Sequence, residues 1–201
     1  MNSINNIKKI FNDSIAVKSN LVASSELEHL SRMGDIAINS IMNGGKILLC
    51  GNGGSAADAQ HLAAEMLVRL RPKNNREGIP AISLAQDTST ITACGNDFGY
   101  DFLFERMVQT LGCKDDVLIA ITTSGNSENI IKAINASKQI NLKVFGFLGA
   151  GGGKAIALCD EVFLVPSMDT GRIQESHITA GHALMEYIED GLIAKGYLNL
   201  K

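Results

Sequence analysis

Two short loops carry the residue types that bind anions. Gly51-Asn-Gly-Gly-Ser55 follows an apolar run and leads into an Ala-rich stretch. Its glycines let the backbone approach a ligand. A helix starting there offers free N–H groups and a positive dipole end, with the Ser55 hydroxyl beside them. Thr122-Thr-Ser-Gly-Asn-Ser127 follows another apolar run and again precedes helical composition. Its hydroxyls form a neutral phosphate cradle or, taken alone, a cap for the next helix through Ser124 or Asn126. Taken together, the two loops point to one phosphate pocket. They lack the magnesium-binding signature of a nucleoside triphosphate site, and no Walker sequence of the GK[ST] type is present. Gly51-x-Gly53-x-x-Ala56 also fits a loose dinucleotide fingerprint. The next strand, however, ends about 30 residues beyond Ala56, where the fingerprint asks for a ribose-binding acid about 20 residues on.

The titratable candidates are His61, Glu65 and His182. His61 and Glu65 are four residues apart in a helical stretch, so they share one face. The surrounding Ala59, Leu62, Ala63 and Ala64 make that face small and apolar. A carboxylate there is partly desolvated, as suits a general base. The same pair suits a divalent metal such as zinc, or simply an exposed helix pair. Gln174 and His182 are eight residues apart, a little over two turns, and can reach one side of a C-terminal helix. His177 points away from His182, and His29 stands alone. Asn96-Asp97-Phe98-Gly99 reads as a turn whose Asp97 could bond the hydroxyls of a polyol.

These groups need a frame. Five apolar runs recur: Lys46–Cys50, Ala81–Ala85, Val117–Ile121, Val144–Leu148 and Val162–Pro166. They are continuous rather than alternating, as in parallel strands covered on both faces. Helical compositions at 55–70, 101–111 and 126–139 separate the first four, and a Gly-rich connection at 149–160 leads to the fifth. The expected fold is α/β, a doubly wound five-stranded parallel sheet flanked by helices. Residues 2–42 add apolar positions at helical spacing, ended by Gly44-Gly45 as a C-cap. Residues 173–195 form one long amphipathic helix. The expected division is an N-terminal helical extension over 1–45, packing on the core and on neighbouring subunits, and an α/β domain over 46–201. Ligands of such sheets bind at the carboxyl ends of the strands, where both loops fall.

Bulk properties exclude several classes. Eighteen Lys and Arg against 21 Asp and Glu give a net charge of -3, which removes the electrostatic basis for non-specific nucleic-acid binding. Seven Phe, three Tyr and no Trp make a poor aromatic stacking platform. Cysteines 50, 94, 113 and 159 show no CxxC spacing, so a zinc ribbon or redox dithiol is not expected, and Cys50 and Cys94 fall in apolar runs that would bury them. No segment approaches 18 uncharged apolar residues. The chain reads as soluble and cytoplasmic, with no nucleic-acid or membrane partner.

Gly51-Asn-Gly-Gly-Ser-Ala-Ala-Asp-Ala-Gln-His-Leu-Ala-Ala-Glu65 resembles the signature of the phosphoheptose isomerases (sedoheptulose 7-phosphate isomerases), enzymes of the sugar isomerase or SIS fold. The resemblance continues through Gly95-Asn-Asp-Phe-Gly99, Thr123-Ser-Gly-Asn-Ser127 and Arg172-Ile-Gln-Glu175 to His182, and spans essentially the whole chain. Thr122 stands where the family often has Ser, which keeps the hydroxyl. Gly171 stands where some members carry a polar or acidic residue.

The resemblance implies conversion of sedoheptulose 7-phosphate to D-glycero-D-manno-heptose 7-phosphate, the first step of bacterial nucleotide-activated heptose biosynthesis for surface polysaccharides such as lipopolysaccharide. It implies substrate contacts at Asn52, Gly53, Gly54, Ser55, Glu65, Asn96, Asp97, Thr122, Thr123, Ser124, Ser127 and Gln174. It implies one zinc ion (Zn2+) per subunit, held by His61, Glu65, Gln174 and His182, and a homotetramer with sites at subunit contacts. Glu65 is expected to take the carbon proton and His182 to serve the oxygens or ring opening, while zinc polarises the carbonyl. Glu65 would then exchange between metal and proton during turnover. The competing reading is a non-catalytic adaptor of the same fold that binds the replication initiator DnaA. That pattern lacks the helix Glu and the C-terminal His, both present here. An isomerase for another sugar phosphate, such as arabinose 5-phosphate, would usually carry further domains.

Overall fold

The computed structural model describes residues 3–84, 86–149 and 151–200. Five strands, β1 Ile47–Gly51, β2 Ala81–Ser83, β3 Val117–Thr122, β4 Lys143–Gly149 and β5 Glu161–Val165, form one sheet in the order β2-β1-β3-β4-β5. Every neighbouring pair is parallel. The expected doubly wound sheet is therefore present, with strand ends displaced by one or two residues. Ala85, expected to end the second strand, lies outside the described residues.

The continuous apolar runs are explained by their two faces. Ile47 and Leu49 of β1 and Val117, Ile119 and Ile121 of β3 point into one core layer; Leu48, Cys50, Leu118 and Ala120 point into the other. All nine are buried. The helices are α1 Ser3–Val22, α2 Glu26–Met42, α3 Gly54–Ala64, α4 Thr88–Asp97, α5 Leu103–Leu111, α6 Glu128–Gln139 and α7 Thr170–Ala194. α2, α3 and α7 cover the first layer, and α4, α5 and α6 the second. Leu198 joins the first layer from beyond α7.

Two boundaries differ from the sequence reading. The helix expected over 55–70 is α-helical only to Ala64 and continues as a π-helical turn, Glu65–Arg69. Donors from the following loop take carbonyls of that turn: Ile79 N donates to Met66 O at 2.9 Å. Asn96 and Asp97 close α4 instead of forming a turn. Asp87 caps α4 through Ser89 N and Thr90 N, and the turn is displaced to Phe98-Gly99, with Gly99 at φ +92°.

α2 packs on α7 and along the edge strand β5. Glu26 Oε2 accepts from Leu164 N at 2.7 Å, and Glu161 of β5 takes His29 Nδ1 at 2.7 Å and Arg32 Nε at 3.0 Å. An exposed edge would template unwanted pairing; here charged side chains occupy it. α1 is different: Ile4, Ile7, Phe11 and Ile15 form a stripe that stays exposed, and Leu21 is its buried residue. No helix among the described residues is long and apolar enough to cross a membrane.

His177 of α7 is buried beside Phe147, and neither ring nitrogen makes a geometrically sound hydrogen bond. Burial pushes its imidazole down from 6.5 to about 4, against a weaker opposing pull from the Leu148 backbone. Between those values the unfolded chain holds a proton that the folded chain does not. Stability is therefore full above about pH 6.5 and falls as pH drops toward 4, by at most about 3 kcal/mol. The thermal midpoint of His177→Met is expected to fall less steeply over this range than that of the wild type. Parallel pH profiles would contradict the assignment.

Candidate active site

β1 and β3 are adjacent, with Gly51 opposite Ile121, and the chain leaves them toward opposite ends of the sheet. This is the switch point where open α/β sheets bind ligands. The glycine loop and the hydroxyl loop lie side by side there. A cleft of about 60 Å³ is lined by Asn52, Ser55, Thr122, Thr123, Ser127 and Gln174, among others. It suits one compact anion and not the roughly 300–1,000 Å³ of a larger organic ligand.

No cap side chain occupies the N–H groups of the two helix starts. α3 is capped by Gly53 and α6 by Ser127, and neither cap makes a side-chain hydrogen bond to the helix. Ser124 and Asn126 therefore do not cap α6 as the alternative reading held; Asn126 N donates to Ser124 Oγ within the loop at 3.2 Å. Gly125 N donates to Thr122 Oγ1 at 3.3 Å. Gly125 has φ +64°, and a Cβ there would collide with the Gly152 carbonyl, so glycine is required twice over. Ser55 and Thr122 are almost fully buried. Ser55 and Thr122 thus present hydroxyls from inside the protein to the cleft.

Beside this cradle, α3, the π-helical turn that continues it and α7 bring three metal-ligating side chains together. The Gly181 Cα lies so close to α3 that a Cβ would sit 2.5 Å from Leu62 Cδ1. This close approach places His182 against His61, with Nε2 atoms 2.8 Å apart. Glu65 Oε1 is 3.4 Å from His61 Nε2, and ligand atoms of all three residues lie within 4.8 Å of one another. His61 is half exposed and the Glu65 side chain 19% exposed, so the cluster opens on one side to solvent and to a ligand.

Two imidazoles and a carboxylate suit zinc, with room for a further ligand. Asp58, one turn before His61, adds an independent observation. Its Oδ2 is buried with no hydrogen-bond partner, and burial pushes its carboxyl above the usual range against the pull of His61 and His182. An unpartnered buried oxygen is costly, and a cation held at the adjacent cluster would offset it. The donor set therefore fits a divalent metal.

Gln174 lines the cleft and lies over Gly54, where a Cβ would be 2.7 Å from its Nε2. Asn96 and Asp97 are exposed at the end of α4 and bond each other at 2.7 Å. Their turn reaches the cradle through Tyr100, whose hydroxyl donates to Asn52 Oδ1 at 2.8 Å. The Asn52 amide also pairs with that of buried Asn129 at 2.9 Å. Tyr100, Asn129 and Asp58 were not singled out from sequence. Asn129 precedes Ile130 and Ile131 and carries no local sign of its inward aim.

The SIS domain family model matches residues 10–149. The chain is 50% identical over 165 residues to a phosphoheptose isomerase of Aliarcobacter butzleri, covering 82% of this chain and 86% of that one. It is 45% identical over 196 residues to one of Aneurinibacillus thermoaerophilus, covering 97% and 98%. Among solved structures, a phosphoheptose isomerase of Francisella tularensis superposes with a TM-score of 0.89 at 35% identity, covering 94% of this chain and 100% of that one. One from Neisseria gonorrhoeae does so with a TM-score of 0.86 at 40% identity, covering 92% and 98%.

Proposed function

The chain belongs to the phosphoheptose isomerases of the SIS-domain family, and from that premise we propose that its site interconverts sedoheptulose 7-phosphate and D-glycero-D-manno-heptose 7-phosphate through an enediol(ate). The observation that carries the reading is the convergence of Glu65 and His182, from helices far apart in the chain, beside a hydroxyl-lined anion cleft. The adaptor alternative finds no support: the relatives are named as isomerases, and both groups the adaptor pattern lacks face one another here.

The phosphate of the substrate occupies the cleft. Ser55, Thr122, Thr123, Ser124 and Ser127 and the N–H groups of Gly53 and Gly54 hold it, with the two helix starts contributing their dipoles. Asn52 and Gln174 orient the chain of the sugar, and Asn96 and Asp97 reach for its hydroxyls. The reacting carbons then lie at the Glu65–His182 side. Glu65 takes a proton from C1 and returns it at C2. His182 moves protons between the oxygens on C1 and C2 and assists ring opening. No net oxidation occurs, because the two carbons exchange oxidation states. His61, Glu65, Gln174 and His182 are the residues that would hold zinc. When bound, zinc polarises the carbonyl and stabilises negative charge on oxygen.

The test is to incubate the purified chain with sedoheptulose 7-phosphate, with and without a chelator, and follow formation of aldoheptose phosphate. Product is expected, with a strong loss in chelator. No product in either condition would defeat the isomerase reading, and an unaltered rate in chelator would defeat the zinc assignment.

The homotetramer is supported by the exposed stripe of Ile4, Ile7, Phe11 and Ile15 on α1, an apolar face that one protomer leaves uncovered. The N-terminal helices over 1–45 would pack there on neighbouring subunits, next to the 46–201 domain. Light scattering is expected to give a four-chain mass for the wild type and a smaller one for Phe11→Glu. A wild-type monomer would contradict this. A cytoplasmic setting fits four cysteines that are all free. The reaction is suited to be the first step of nucleotide-activated heptose synthesis for lipopolysaccharide.

A further inference from the structure

The loop after the π-helical turn carries a buried arginine that touches both the turn bearing Glu65 and the helix bearing His182. Arg76 is 7% exposed and Glu189 1% exposed. Arg76 Nε donates to Glu189 Oε1, forming a buried ion pair. The rest of the guanidinium turns to main-chain carbonyls. Nη2 donates to Glu65 O at 3.0 Å, and Nη1 donates to Met66 O at 3.0 Å and to Glu77 O at 2.8 Å. Glu189 Oε2 is filled in turn by Asn74 Nδ2 at 2.8 Å and Arg71 Nε at 2.6 Å. Arg71 also pairs with Asp190.

The position of these partners gives the network a meaning beyond packing. Glu189 lies on α7, seven residues after His182, which is two turns and about 10 Å along the same helix face. Glu65 and Met66 open the π-helical turn. Carbonyls near a helix end lack in-helix donors, and a π-turn rotates the side chains that follow it. Arg76 donates to both carbonyls, joining Ile79 N on Met66 O. One guanidinium therefore spans from the backbone of the residue that carries the base to the helix that carries the imidazole. Lysine, a point donor on a flexible stem, cannot bond Glu189 and these carbonyls at once.

We propose that Arg76, fixed by Glu189, is a positioning residue that clamps the turn bearing Glu65 to the helix bearing His182 and so sets the spacing of the two groups. Its kinetic consequence rests on the isomerase reading above. A buried ion pair alone would not require this: replacing such a pair by apolar residues is often neutral for stability. The clamp requires the carbonyl contacts.

The test uses the full chain as wild type, Arg76→Lys and the double variant Arg76→Met/Glu189→Met. Four quantities are read: kcat, KM for sedoheptulose 7-phosphate, affinity for zinc alone against a chromophoric chelator, and affinity for inorganic phosphate. Arg76→Lys is expected to lose at least ~10-fold in kcat and ~10-fold in zinc affinity, in line with residues that orient metal ligands. KM and phosphate affinity are expected to stay within about twofold, because the cradle is not touched. The double variant removes both partners of the buried ion pair and leaves Arg71 on Asp190; it is expected to fold with a lowered thermal midpoint, because the Asn74 amide loses its acceptor, yet to be slower than its folded fraction accounts for, and it decides the matter if Arg76→Lys fails to fold. Wild-type kcat and zinc affinity in the double variant would overturn the clamp, as would a loss of kcat that only follows the folded fraction. If the wild type binds zinc but does not turn over the substrate, the isomerase reading falls alone and the zinc affinities decide the clamp. A wild type with neither property overturns both.

Discussion

Glu65→Gln is expected to lower kcat for sedoheptulose 7-phosphate by at least ~10²-fold and up to ~10⁴-fold, the range for a general base, while affinity for inorganic phosphate measured by calorimetry changes little. Gln keeps the shape of the side chain but cannot take a proton from carbon. The phosphate contacts are elsewhere: the cleft is lined by Asn52, Ser55, Thr122, Thr123, Ser127 and Gln174, none of which is altered. The Glu65 side chain is largely buried, 3.4 Å from His61 Nε2, so an isosteric replacement retains the packing. A loss confined to kcat marks an interaction made in the transition state; a loss confined to KM marks uniform binding. Full activity in this variant would remove Glu65 from the mechanism.

The second large effect is expected at His182. His182→Asn should cost at least ~10²-fold in kcat, again with the phosphate affinity kept, since proton transfer among the substrate oxygens loses its carrier. The residue faces His61 at 2.8 Å and belongs to the same donor cluster as Glu65. It depends on helix contact for that placement. A Cβ at Gly181 would collide with the Leu62 side chain, so α7 sits closer to α3 there than a residue with a side chain would let it. A loss of less than ~10-fold in His182→Asn would assign the oxygen protons to another group.

Much of this arrangement was legible because the parallel sheet writes itself as unbroken apolar runs. Ile47 and Leu49 serve one layer while Leu48 and Cys50 serve the other. The anion cradle was legible for a similar reason: glycines and hydroxyls directly after a strand and before a helix have few other uses at a switch point. The His61–Glu65 pair followed from helical spacing. The convergence of His182 on that pair did not follow from spacing, because it depends on how α7 crosses α3. The π-helical turn was read as plain helix, since its cause lies in donors from Arg76 and Ile79 beyond the helix itself. Arg76 and Glu189 are 113 residues apart and carry no sequence sign of their pairing. Only the fold reveals that each is the other's buried partner.

The central claim is that Glu65 and His182 act as one site, and a double-mutant comparison tests it most directly. Turnover of sedoheptulose 7-phosphate would be measured for the wild type, Glu65→Gln, His182→Asn and the two combined. Groups that share one constellation are strongly non-additive. The account predicts a double variant about as slow as the slower single variant. Two losses that simply multiply, or a combined variant that still turns over at the wild-type rate, would contradict it.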